Sequence, residues 1–291
     1  MRKVEQPRTR NARERIAAQQ AAVRRAQTRR RMLIAVGSSV LVLAVVIGLI
    51  VAKISQSPAA AGAAVADPAV ARLVTAVPGS TFDRVGSGTA TGLKATAGQP
   101  LLTKNGKPEL LYMGGQYCPF CAAERWVIAA AVSRFGTLSG LRFIHSSPTD
   151  YAPSTPTLSF DRARYSSRYL SFVPVEWYGE KADPRTPFGH VYFQHPTARE
   201  QALFSKYSGE SLPFVDIGNQ YLVPQAQYAP TALAGLTWAQ VARALHHPSS
   251  AVARDIDGAA NQITAAICKL THGQPGGVCT AAGVRAASAS I

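Results

Sequence analysis

Acidic side chains are scarce in this chain: 16 Asp and Glu stand against 31 Lys and Arg, a formal net charge of +15. The imbalance is local. Residues 1–31 hold eleven Lys or Arg against Glu5 and Glu14, which accounts for +9, whereas from Ile54 onward nineteen bases meet fourteen acids. No aromatic residue lies among the tail's arginines, so the stacking partners that a nucleic-acid arm uses are missing and nucleic acid is not an expected partner. Histidine and cysteine are also few, six and four residues. The histidines fall at no metal-ligand spacing apart from adjacent His246 and His247 beside Pro248, so neither a metal nor another cofactor is expected. His145, His190, His195 and His272 read as surface or core fillers and receive no role.

Charge is absent from Met32 to Ala52, where MLIAVGSSVLVLAVVIGLIVA runs 21 residues. At about 1.5 Å per residue this crosses a hydrocarbon core of roughly 30 Å, so the run is expected to be a transmembrane helix. A cleaved signal peptide is the rival, because Ala59-Ala60-Ala61 could serve as a cleavage site, but apolar signal regions usually run only about 7 to 15 residues. Eleven cations before the span and Lys53 alone after it put the N-terminus in the cytoplasm and the rest outside, in a single-pass arrangement at the cell membrane. The basic tail 1–31 then meets anionic lipid. Residues 53–66 read as a linker, of which Ser55 to Ala66 is a flexible tether, and 67–291 as the extracytoplasmic domain.

What remains reads as α/β. Asp67-Pro68 caps a short helix over Ala69 to Val77. Leu93 to Thr103, the Asn105-Gly106 turn and Glu109 to Met113 form a hairpin feeding a buried strand. Directly after it come Gly114, Gly115, Gln116, Tyr117 and then Cys118-Pro119-Phe120-Cys121, with a helix over Ala122 to Phe135 and an apolar strand over Leu141 to His145. Strand, CxxC, helix and strand make a βαβ unit, which predicts a parallel pair. Residues 148–206 read as an insertion with strands at Thr157 to Arg162 and Tyr169 to Trp177 and a helix over Thr197 to Tyr207. Leu212-Pro213 opens a hairpin of Phe214 to Ile217 and Gln220 to Val223. Thr237 caps a helix to Leu245, and Ser249 or Ser250 caps a longer one to about Leu270.

All four cysteines lie in the outer portion, as a near pair (Cys118, Cys121) and a far pair (Cys268, Cys279). An oxidising compartment suggests two disulfides, although four cysteines permit three connectivities. A thiolate, not a thiol, attacks a disulfide, and a helix N-terminus favours that anion. Cys118 stands at the N-cap position, Pro119 at the first helical position costs nothing, and Cys121 one turn on is placed to be the resolving thiol. A pKa near 6 would leave Cys118 roughly 90% ionised at neutral pH. A structural disulfide, half a zinc site or a chance pair are the alternatives. The far pair encloses ten residues and is expected to be a structural disulfide contributing about 3 kcal/mol, with an electron relay from the near pair as the alternative.

The CPFC motif after a strand, with Leu212-Pro213 before a strand and hairpin, resembles the thioredoxin superfamily. More closely, the run from Cys118 through Glu124, Arg125 and Trp126, together with the Cys268/Cys279 pair, is similar to the uncharacterised thioredoxin-like family called domain of unknown function 929. The resemblance covers roughly residues 68 to 282. It implies a mixed sheet flanked by helices, and an insertion between the CxxC unit and the proline hairpin. It also implies that Pro213 is a cis proline against the redox pair and that Leu212 offers its backbone to an extended substrate, beside Pro119 and Phe120. The superfamily places a buried acid six residues before the first Cys, where this chain has Tyr112. Glu124 is the candidate to relay a proton instead, with a solvated or Arg-paired helix residue as the alternative.

The expectation is a membrane-anchored thiol-disulfide oxidoreductase acting on exported cysteine-containing proteins, oxidase or isomerase rather than reductase, with a possible membrane redox partner. A non-catalytic thioredoxin-like binding or assembly module, its cysteines structural, is the competing class.

Overall fold

The computed structural model describes residues 64–291 except Ala66 and Ala97. The basic tail 1–31, the apolar run 32–52 and most of the linker 53–66 lie outside the described residues, and the expected anchor and topology lie there with them. Among the described residues no helix is long and apolar enough to cross a membrane.

In chain order the elements are β1 (Ala64–Val65), α1 (Pro68–Thr75), α2 (Gly79–Val85), β2 (Lys94–Ala95), β3 (Thr103–Lys104), β4 (Lys107–Gly115), α3 (Pro119–Val132), β5 (Gly136–Ser139), β6 (Arg142–His145), β7 (Pro156–Ser159), β8 (Arg164–Ser167), β9 (Ser171–Ala182) and β10 (His190–Tyr192). After these come α4 (Ala198–Tyr207), β11 (Phe214–Ile217), β12 (Tyr221–Val223), a 3-10 turn (Pro230–Leu233), α5 (Trp238–Ala244), α6 (Ala251–Leu270), α7 (Gly276–Cys279) and α8 (Ala282–Ser288). The fold is mixed α/β, a mixed sheet flanked by helices. The sheet runs β10–β9–β4–β11–β12–β2, with β3 on β4. Only β4 and β9 are parallel within it; the other pairings are antiparallel.

Local chemistry explains several of these elements. Asn105 and Gly106, at φ 52° and 70°, form the two-residue turn between Lys104 and Lys107 that joins β3 to β4. Backbone with positive φ at both positions suits the twist of a hairpin, and Asn-Gly tolerates it. Asp67 accepts the Ala69 N–H at 2.9 Å ahead of Pro68, Thr197 and Glu200 form a capping box on α4, and Ser250 caps α6. Each satisfies donors that the first helical turn leaves unpaired.

The alternation along β4 builds two cores. Leu110 and Tyr112 face one layer, with Trp126, Val127 and Ile128 of α3 and Ile256, Ala260 and Ile263 of α6. Leu111 and Met113 face the other, with Val173, Val175, Phe214 and Phe204 of α4. A central strand buried on both faces reads as a continuous apolar run rather than an alternating one.

Two expectations are corrected. Leu141–His145 is not the parallel partner of β4: β6 pairs antiparallel with β1 and β7 in a separate three-stranded sheet. The partner is β9, in register from Glu109 opposite Ser171 to Gly115 opposite Tyr178. A buried nine-residue strand needs a neighbour of matching length, because unpaired buried backbone groups are costly, and a four-residue strand would leave most of the ladder open. Since β9 and all but the last residue of α4 lie within 148–206, that segment supplies part of the central architecture, whereas residues 136–167, with β1, form the two small side sheets. Ala64 and Val65, which the expected tether included, instead pair with β6 as β1.

Candidate active site

The end of β4 and the start of α3 bring the near cysteine pair to one spot. Cys118 is the N-cap of α3, with extended backbone at φ −75° and ψ 122°, and Pro119 follows at the first helical position. The Cys121 N–H donates to Cys118 Sγ at 3.2 Å, and the Gly115 N–H reaches Cys121 Sγ at 3.5 Å. Cys118 is 5% exposed and Cys121 fully buried, and both are thiols. Opposite stands the segment before β11. The Leu212–Pro213 peptide is cis, and the Cys118 thiol points at the Leu212 carbonyl oxygen at 3.8 Å, across 94 residues of sequence.

The two sulfurs are electrostatically unequal. Burial pushes Cys118 up, but the hydrogen bonds from the Cys121 thiol and backbone N–H, the charge of Arg125 and the Phe120 backbone outweigh it, and the net displacement is downward. Burial, together with the hydrogen bond and charge of Cys118, drives Cys121 well above the usual thiol range. One sulfur is thus disposed to be the anion and its neighbour to keep the proton, the division of labour that thiol-disulfide exchange requires.

Beneath the pair lies a charged group that reading the sequence missed. Arg125, one turn past Cys121, is fully buried and makes a bidentate pair with Glu176 of β9, at 3.0 Å (Nε to Oε1) and 2.7 Å (Nη2 to Oε2). Its Nη2 also donates to the Gly115 carbonyl at 2.7 Å. The guanidinium lies 5.7 Å from the Tyr112 ring centroid, and Nη1 has no hydrogen-bond partner. The available signal was two adjacent charges, Glu124 and Arg125, inside an otherwise apolar helical run, since such charges are almost never fully buried without partners. The partner, 51 residues away, was not legible.

Glu124 is fully buried, and its Oε2 accepts the Gln227 N–H at 3.1 Å while Oε1 has no partner. No hydrogen bond joins it to either sulfur. Burial pushes its carboxyl up to about 8, against the smaller lowering by the Gln227 N–H. Tyr112 is buried with its hydroxyl unpartnered. Around the mouth of the site, Phe120 is 40% exposed and its ring stacks on Tyr151 at 5.8 Å, while Tyr117 stacks on His190 at 3.7 Å. Cys268 and Cys279 form a disulfide that ties the end of α6 to α7. Among the described residues no three His, Cys, Asp or Glu side chains are grouped as metal ligands would be.

A family model described as a domain of unknown function (DUF929) matches residues 96–185, and this segment is similar to that uncharacterised family. The match spans β4, both near cysteines, α3, Arg125 and Glu176, and ends before Leu212-Pro213 and the far cysteines. No curated protein and no solved structure gives a significant match.

Proposed function

We propose that the chain is a membrane-anchored, extracytoplasmic thiol-disulfide oxidoreductase of thioredoxin-like fold that acts on exported cysteine-containing proteins, as an oxidase or isomerase rather than a reductase. The observation that carries this reading is the setting of Cys118: a helix N-cap whose sulfur accepts a backbone N–H at 3.2 Å and faces the Leu212 carbonyl at 3.8 Å. The fold reading is supported by the strand order β9–β4–β11–β12, with the CxxC helix following β4 and Pro213 leading into β11.

In the oxidising direction a client thiolate attacks Cys118 Sγ of the Cys118–Cys121 disulfide. The S–S bond breaks, and its electron pair leaves on Cys121, which takes up a proton. A second client thiolate then attacks the client sulfur of the mixed disulfide, and Cys118 departs as a thiolate stabilised by the helix N-terminus. The client loses two electrons and the pair gains them; a disulfide-bearing membrane partner removes them in a second exchange. Leu212 and Pro213 border the attacked sulfur, where an extended client segment can pair with the Leu212 backbone. Pro119 and Phe120 shape the opposite rim. No cofactor is required.

The test uses the full-length protein in detergent micelles. Iodoacetamide alkylation of Cys118 followed against pH should show a pKa below that of glutathione, and the oxidised protein should introduce disulfides into a reduced, unfolded client. Cys118→Ser should abolish that transfer while leaving the far-UV spectrum unchanged. A Cys118 no more acidic than glutathione, with no transfer, sinks the reading and leaves the pair a structural bridge.

A further inference from the structure

We propose that Arg125, held by Glu176, is a positioning residue that selectively stabilises the reduced form of the Cys118–Cys121 pair and thereby makes the protein an oxidant of client thiols. This rests on the thiol-disulfide reading above and assigns it a direction of electron flow.

The geometry is specific. Glu176 Oε1 accepts both Arg125 Nε and the Phe160 N–H, the latter at 2.9 Å, so the carboxylate is engaged on the side of β7 and the loop after it. Arg125 reaches the other way, through the Gly115 carbonyl. The N–H of that same Gly115 points at Cys121 Sγ. The guanidinium therefore fixes the residue that contacts the resolving sulfur, and its charge acts on both cysteines. Arg125 Nη1, a fully buried donor with no partner, leaves part of the cation uncompensated by hydrogen bonds.

A disulfide carries no charge, whereas the reduced pair carries an anion on Cys118. A buried cation lowers the free energy of the second state and hardly touches the first, and low local polarisability magnifies the difference. Stabilising the reduced form favours the transfer of two electrons from client thiols to the pair, the relation that makes a strong oxidant of such an enzyme. The exchange balances without another reagent: the client dithiol becomes a disulfide as the Cys118–Cys121 disulfide becomes a thiolate and a thiol.

The test measures the equilibrium of the full-length protein with reduced and oxidised glutathione, and the pH dependence of Cys118 alkylation, in three variants. Arg125→Met alone would leave a buried carboxylate with no donor to pair it, so it is combined with Glu176→Gln, whereas Glu176→Gln alone keeps an amide oxygen that can accept from Arg125. The double variant should hold its disulfide about tenfold more tightly, about 30 mV for a two-electron couple, with Cys118 less acidic. Glu176→Gln alone, which keeps the cation and removes its counterion, should move both readings the opposite way, by about threefold or more. Arg125→Lys, which keeps the charge without the fork, should stay within about threefold of the parent. A merely structural role would shift the double variant and Glu176→Gln in the same direction. That result, or a folded double variant with an unchanged equilibrium, overturns the proposal. Should the double variant not fold, Glu176→Gln decides: an unchanged or more stable disulfide refutes it. Failure of the unaltered protein to equilibrate with glutathione at all would instead refute the thiol-disulfide reading itself.

Discussion

Glu124 makes the stability of this protein depend on pH in a direction opposite to that of most carboxylates. Its carboxyl is buried within α3 with one backbone donor, and burial lifts it from 4.5 to about 8. Between those values the folded protein retains a proton that the unfolded chain has released. Stability contributed by the protonated acid is therefore complete below about pH 4.5, declines as pH rises, and levels off beyond about pH 8. A displacement of 3.5 pH units, at about 1.4 kcal/mol each, sets an upper bound of about 5 kcal/mol, and relaxation around the ionised group brings it nearer to about 2 or 3. Glu124→Gln replaces the acid with a neutral side chain of the same length that keeps an acceptor for the Gln227 N–H. Urea unfolding of the full-length protein, followed by tryptophan fluorescence from pH 5 to pH 9, should give a variant similar to the parent at pH 5 and increasingly more stable than it toward pH 8. Parallel stability profiles would refute the reasoning. The same variant tests the relay role: with no hydrogen bond to either sulfur, loss of the carboxyl should leave the pH–rate profile of alkylation and client oxidation in place, and a displaced profile would restore Glu124 as a proton carrier.

Three further outcomes are expected. Asp257 of α6, both carboxylate oxygens unpartnered and its carboxyl pushed up by burial to about 8 against the lowering by Arg134, should behave alike, so that Asp257→Asn flattens the stability profile between pH 4 and pH 8. Replacing Cys268 and Cys279 together by Ser should lower unfolding stability by about 3 kcal/mol, measured in urea, while client oxidation persists in the folded fraction. Trp126→Phe removes the Nε1 donor that meets the Pro156 carbonyl at 2.9 Å and opens a gap in a fully buried site, so thermal or urea unfolding should show a loss of about 2 to 4 kcal/mol.

The elements that could be read from the sequence are those whose cause is local. Asn105-Gly106 dictates its hairpin by tolerating positive φ, Asp67, Thr197, Thr237 and Ser250 announce helix starts by their side-chain oxygens, and Cys118-Pro119 marks a helix boundary. What stayed illegible depends on residues far apart. The parallel neighbour of β4 is 12 residues long, but it begins beyond the short side strands, and the strand-like run Leu141–His145 imitates it nearer in sequence. Leu212-Pro213 stood out as a motif, while the contact between its carbonyl and Cys118 depends on β11 pairing with β4. Arg125 and Glu176 stand 51 residues apart, and only the closing of β9 against β4 turns them into a buried pair. Glu124 likewise gives no sign in the sequence that Gln227 will cover it.

The helix that follows Cys118, α3, exposes Phe120 alone of its fourteen residues; every other side chain from Pro119 to Val132 is enclosed. That enclosure constrains how the protein can change over time. A new binding preference cannot be won by redecorating the outer surface of α3, because Phe120 is its one exposed side chain and every other substitution in it is also a packing change. On the thiol-disulfide reading proposed above, adaptation to a different repertoire of clients is channelled into one side chain of the motif and into the neighbouring loops that carry Tyr151 and Leu212. Those loops can drift while the chemistry stays still.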